Sequence, residues 1–168
     1  MRTILKISLI LLFHITANAQ NFVDSVPDWF TSTPSVPGKI VGVGSGNSMN
    51  MEMALQKADM DAKVKLASKV KPVITTITTK IDSSFRGDEL VIQKVTIIRN
   101  KVAATLSDVR VERKVFMKDG DRFTAYIMLS TDEKSVKSTF VEMIDHESAV
   151  KQALADKGLY QTLLDWAK

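Results

Sequence analysis

The sequence predicts an α+β fold, one mostly antiparallel sheet covered by helices, and three patterns predict it. Apolar residues recur at spacings of three and four from Met49 to Val70. Two alternating stretches flank Lys118-Asp119-Gly120 as the arms of a hairpin would. Helical periodicity then returns after Ser130 and lasts to Trp166, so strands and helices are arranged as a sheet with a helical cover.

Residues 1–19 read as a cleavable secretory signal peptide. Arg2 and Lys6 supply a positive start, Ile7 to Ile15 is apolar except for Ser8 and His14, and Ala17-Asn18-Ala19 offers small residues for cleavage. The apolar run is shorter than the roughly 20 residues a bilayer span needs. The expected mature chain begins near Gln20 and is periplasmic or secreted. Residues 20–38 carry Pro27, Pro34 and Pro37 and read as an extended arm anchored by Trp29 and Phe30. Residues 39–168 are expected to form a single α+β domain.

Within it, Lys39 to Ser45 reads as a short strand. The helix from Met49 to Val70 turns Met51, Ala54, Leu55, Ala58, Ala62 and Leu66 inward, and Pro72 is expected to stop it. Val73 to Ile81 then alternates as a half-buried strand, with Val73, Thr75, Ile77, Thr79 and Ile81 on the inner face. Residues 83–89 are a polar break containing Gly87. Val91, Val95, Ile98 and Val102 restore helical spacing from Leu90 to Ala104, although Val95 to Ile98 is rich in β-formers.

The hairpin pairs Leu106–Met117 with Arg122–Ser130. Val109, Val111, Val115 and Met117 share one face, as do Phe123, Ala125, Ile127 and Leu129. A two-residue Asp119-Gly120 loop would set the valine face opposite Thr124 and Tyr126. A three-residue loop of Lys118, Asp119 and Gly120 pairs Val115 with Phe123 and Val111 with Ile127, burying both faces together, and is the expected register. Arg113 is the exception on that face, its head reaching water at the sheet edge. Ser130 and Glu133 suggest a capping box for a helix with Val136, Phe140, Met143 and Ile144 inward. A further helix from about Ala149 is kinked or ended by Gly158 before Leu159 to Trp166.

Composition limits the chemistry. After cleavage about 149 residues remain, enough for one core. The chain has no cysteine, which excludes disulfides, thiolate metal sites and a cysteine nucleophile. Cleavage removes two of 23 basic residues and none of 19 acidic ones, leaving 21 against 19, a net charge of +2. So small an excess, interleaved with acids, argues against a nucleic-acid partner. Gly42-Val43-Gly44-Ser45-Gly46 sits between a strand and a helix but is GxGxG, without the second glycine spacing of a dinucleotide loop. Its glycines are expected to be structural, and Gly44→Val to cost about 1 to 3 kcal/mol. His146, the one histidine after Ala19, reads as a solvated residue at a helix end. Glu52, Asp59 and Asp61 lie among lysines on exposed helix flanks. Met49 and Met53 share a helix face while Met51 points inward, which favours packing over a copper site. No cofactor or metal is expected.

Two features ask for a cover. Met53, Met60, Val64 and Ala67 form a second apolar stripe opposite the first helix's core face. Leu159, Tyr160, Leu163, Leu164 and Trp166 crowd the last ten residues, where a chain end is ordinarily polar. The expectation is that the two meet within one molecule, with an exchanged or partner-bound arrangement as the alternative.

Pro27-Asp28-Trp29-Phe30, then Val41-Gly42-Val43-Gly44-Ser45-Gly46, then a helix with Ala54, Ala58, Asp61-Ala62-Lys63 and Leu66-Ala67 resembles the LPP-twenty family of small bacterial envelope lipoproteins. The N-terminal domain of flagellar assembly protein T is similar. Lys118-Asp119-Gly120-Asp121 and Phe123-Thr124-Ala125-Tyr126 fall where that family has paired strands, so the resemblance covers residues 27–130. It implies an α+β domain of a Gram-negative envelope with a structural or binding role and no established catalysis. The family's lipoproteins need a cysteine at the cleavage site; here Ala19-Gln20 stands there, so lipidation is excluded and a soluble form favoured. The expected function is an exported, non-enzymatic envelope protein that binds another protein or a surface component. The alternative is a carboxylate-dependent hydrolase acting on envelope carbohydrate or peptide.

Overall fold

The computed structural model describes residues 21–106 and 108–168; the expected signal peptide, residues 1–19, lies outside them. The fold is α+β. Its sheet has three strands, β1 (Lys39–Ser48), β2 (Arg110–Asp119) and β3 (Arg122–Asp132), in the order β1-β3-β2, each adjacent pair antiparallel. A parallel bridge joins Phe22 to Phe116 at the β2 edge, with the Val23 N–H donating to the Phe116 carbonyl at 2.8 Å. The arm that follows contains one helical turn, α1 (Asp28–Thr31).

The helix α2 (Met51–Ser84) is much longer than the sequence suggests. Asn50 starts it by accepting the Met53 N–H at 3.0 Å. Its 34 residues, roughly 50 Å, run straight through Pro72 and the expected strand at Val73–Ile81. The buried residues show why: Leu66, Val70, Ile74, Ile77, Thr78 and Ile81 continue the helical spacing, whereas Thr75 and Thr79 are exposed. Alternation and helical periodicity coincide at Ile77 and Ile81, and Ile74 with Thr78 decides between them. Proline forfeits only the bond its N–H would make to the Ser68 carbonyl, and the hydroxyls of Thr75, Ser83 and Ser84 bond back to carbonyls four residues earlier.

The first half of α2 lies on the sheet. The second half is joined by α3 (Glu89–Thr105), α4 (Glu133–Asp145), α5 (Ser148–Asp156) and α6 (Leu159–Ala167). One core runs through both parts, from Ala125, Ile127 and Leu129 on the sheet to Phe140, Ile144, Leu154 and Leu163 among the helices. The α3 helix buries Val91, Val95, Ile98 and Val102 as its spacing indicates. Gly158 ends α5 and precedes α6.

The hairpin register differs from the expected one. Its loop is Gly120-Asp121, closed by the Asp119–Arg122 pair, with Gly120 at φ +57°, where primed two-residue turns place glycine. Val115 therefore opposes Tyr126 and Phe116 opposes Ala125. Phe116 is the buried residue of β2, so one ring, rather than the valine series, sets the register. A β-bulge between Val111 and Arg113 then returns Val111 to the helix side. Ser130 is not a helix cap. It ends up buried in β3, donating to Glu112 at 2.6 Å, and Asp132 occupies the cap position of α4.

Candidate binding surface

The glycine motif is a packing seam. Gly42, Gly44 and Gly46 face α2, and a Cβ on Gly44 would stand 2.2 Å from the Ala58 carbonyl oxygen and 2.3 Å from the Ala62 nitrogen. At Gly46 the same atom would lie 2.3 Å from the Ala54 carbonyl oxygen, and at Gly42 2.6 Å from that of Ala62. Three glycines thus lie against the Ala54, Ala58, Ala62 row, and backbone touches backbone.

That closeness lets α2 seal the outer edge of β1. Lys57 donates to the Asn47 carbonyl at 3.2 Å, Asp61 accepts the Ser45 N–H at 3.0 Å, and Lys69 donates to the Val41 carbonyl at 2.7 Å. Lys65 holds Asp61 at 2.7 Å. Partial burial would raise the Asp61 carboxyl, but the bonds from Lys65 and Ser45 outweigh it and hold it below the usual range. Side chains at intervals of four thus occupy polar groups along an edge that could otherwise recruit a foreign strand.

The solvent side of α2 is uncovered among the described residues, with Met60 and Val64 68% and 69% exposed. Met53, 46% exposed, continues the edge-sealing row one turn before Lys57, and Met49, 64% exposed, precedes the helix. Beside them, between α2 and β2, runs a groove of about 390 Å³ lined by Leu55, Gln56, Asp59, Val111, Lys114 and Ile127. Gln56 stands three residues after Met53 and four before Met60, so stripe and groove adjoin. The bulge and the shifted register leave Val111 59% exposed. The sequence reading placed Val111 in the core and so missed this groove; only the charged Glu112-Arg113-Lys114 run hinted that the strand's first half is uncovered.

The proposed cover does not lie on the stripe. Leu163 is fully buried and Trp166 meets Phe140 edge-on at 5.9 Å. Leu159 and Tyr160 pack on the same helical core, and the Tyr160 hydroxyl donates to Asp145. The terminal segment thus docks on α4 and α5, and the expected meeting with Met53, Met60 and Val64 is corrected: its wide apolar face finds a partner in the helices that directly precede it. The arm goes to the sheet's outer face. Pro27 accepts the Phe30 N–H at 2.9 Å, Asp28 opens the turn, and Trp29 and Phe30 pack on Val41, Val43 and Met128. Phe30 meets Tyr126 at 4.9 Å.

The groups weighed for chemistry sit apart. Asp59 pairs with Lys63 at 2.7 Å, Glu52 is exposed in the first turn of α2, and His146 is an exposed residue at the end of α4. Among the described residues no three His, Asp or Glu side chains converge as a metal site would require. No family model, no curated protein and no solved structure matches the chain.

Proposed function

We propose that the chain is an exported, non-enzymatic cell-envelope protein that binds another protein through the outward face of α2 and the groove beside it. The carrying observation is the exposure of Met53, Met60 and Val64 beside an open groove, on a helix whose inner face packs on the sheet and whose flank seals the β1 edge. Contiguous apolar surface of this kind on a folded protein marks an interaction site. The binder offers a rigid helix with adaptable methionines, set against a groove whose rims carry Asp59 and Lys114.

Export rests on the Arg2/Lys6 start, the apolar run and the Ala17-Asn18-Ala19 triplet. Asn21 and Val23, directly after that triplet, are bonded to Phe116, so a chain cut there would begin on the sheet. Among the described residues no helix is long and apolar enough to cross a membrane. Kinship with the LPP-twenty family is part of the same proposal. What supports it is that the motif residues form one packing unit: Trp29 and Phe30 on one sheet face, the three glycines against the alanine row on the other.

Purified mature protein with Met60→Glu and Val64→Glu tests the reading. Both positions are exposed, so the melting temperature should hold while partner capture from the envelope is lost. Unchanged capture by the doubly charged variant would sink the proposal, and an N-terminus at Met1 rather than Gln20 or Asn21 would sink the export reading.

A further inference from the structure

A second depression lies on the opposite side of the sheet. Where the arm crosses the outer face, two cavities of about 250 and 240 Å³ share Pro34, Val36, Lys39 and Val41 in their walls. The second also takes in Glu112, Arg113, Met128 and Ser130. Its floor is apolar, because Val41 and Met128 are buried there beneath the arm. Its polar side has a definite order. Lys39 donates to Glu112 at 2.8 Å, and the buried Ser130 hydroxyl donates to the same carboxylate oxygen at 2.6 Å. Arg113, which pairs with Met128 across the strands, makes no hydrogen bond or ion pair with any described residue. The β-bulge between Val111 and Arg113 brings Glu112 and Arg113 together at this rim, and bulges commonly re-aim side chains in this way.

We infer that this trough binds a small amphipathic monocarboxylate, its carboxylate on Arg113 and its apolar body on Val41, Met128 and the Pro34–Val36 wall. The charge balance selects the class. In the second cavity Lys39 and Arg113 against Glu112 leave one positive charge, which a single carboxylate neutralises; the Lys69 ammonium lines only the first cavity and is bonded to the Val41 carbonyl. The guanidinium fork fits a carboxylate with two parallel bonds. The size selects within the class. The two adjoining cavities, about 250 and 240 Å³, lie toward the small end of the roughly 300–1,000 Å³ range of ligand sites, which suits a short acid rather than a long lipid. The first cavity reaches Lys69 at the edge-sealing flank of α2, but neither cavity takes in Met53, Met60 or Val64, and nothing in the protein-binding reading depends on this site.

Octanoate is the probe, titrated into the isotope-labelled full mature chain while backbone amide signals are followed. The expected result is saturable shifts at Lys39, Val41, Arg113 and Met128. Octanamide, of the same shape without the charge, should bind at least about tenfold more weakly, and so should octanoate to Arg113→Gln, since each removes charge-assisted hydrogen bonds. Arg113 is exposed, so the variant keeps its fold, and the amide comparison needs no variant at all. Equal binding of amide and acid, unchanged affinity in Arg113→Gln, or shifts confined to another surface would each overturn the inference.

Discussion

Gly44→Ala is the smallest change that attacks the seam between β1 and α2. The added methyl would meet the Ala58 carbonyl oxygen at 2.2 Å, the Ala62 nitrogen at 2.3 Å and the Ala62 Cα at 2.8 Å. Ordinary contact begins near 3.4 Å, and all three obstacles are backbone, so no side chain can turn aside. The strand must withdraw from the helix by about 1 Å, loosening contacts in an interior packed like a crystal. Overpacking costs about 1–3 kcal/mol, and a clash with backbone belongs at the top, about 3 kcal/mol. For a chain of this length that lowers the melting temperature by about 6–12 °C. The assay is thermal and urea unfolding followed by circular dichroism, with Ser45→Ala as control. Ser45 lies on the other face of the same strand, and its truncation should stay within about 0.5 kcal/mol. Combining Gly44→Ala with Ala62→Gly should restore nothing, because the obstacles at Ala62 are main-chain atoms. A Gly44→Ala protein with wild-type stability, or rescue by Ala62→Gly, would refute the reasoning.

Pro72→Ala should stabilise the protein by about 1 kcal/mol or more, since it restores a main-chain bond inside a continuous helix; an unchanged urea midpoint would mean that Pro72 ends the helix after all. Lys39 and then Ser130 hold the Glu112 carboxyl below a glutamate's ordinary value of 4.5. A depressed carboxylate stabilises the fold above its unfolded value, and that contribution is lost as pH falls through the folded one. Lys39→Gln should therefore raise the Glu112 titration midpoint seen by carboxyl NMR and narrow the stability gap between neutral and acid pH. Deleting residues 159–168 removes the buried Leu163 and the Trp166–Phe140 contact and should cost about 3 kcal/mol or more. The truncated protein should bind hydrophobic dyes through the uncovered α4–α5 surface; stability and dye silence equal to the full chain would show that the segment is not docked.

Much of the fold was legible because several local signals agreed. The alanine row and the glycine motif both point to a helix lying close on a strand, and α3 emerged from four apolar positions despite its β-rich centre. Pro72 misled because a proline weighs about 3 kcal/mol against a helix in isolation. Here the burial of Ile74, Ile77 and Ile81 offsets that penalty. The hairpin failed for a different reason. Parity rules presume unbroken alternation, and the bulge at Glu112 breaks it, so the first half of β2 and its second half answer to different faces. The same bulge assembles the trough from Lys39, Glu112, Arg113 and Ser130, residues of all three strands with no spacing in common. The outward stripe of α2 was visible in sequence, but its partner was sought in the C-terminal segment, which the helices before it had already engaged.

The protein-binding role is tested most directly by a photo-crosslinking residue placed at Met60 in intact cells, compared with one at Thr79, exposed on the same helix but away from the stripe. The account predicts a discrete protein adduct at Met60 that is absent at Thr79 and disappears when Val64→Glu is added. No adduct at Met60, or the same adduct at both positions, would contradict it.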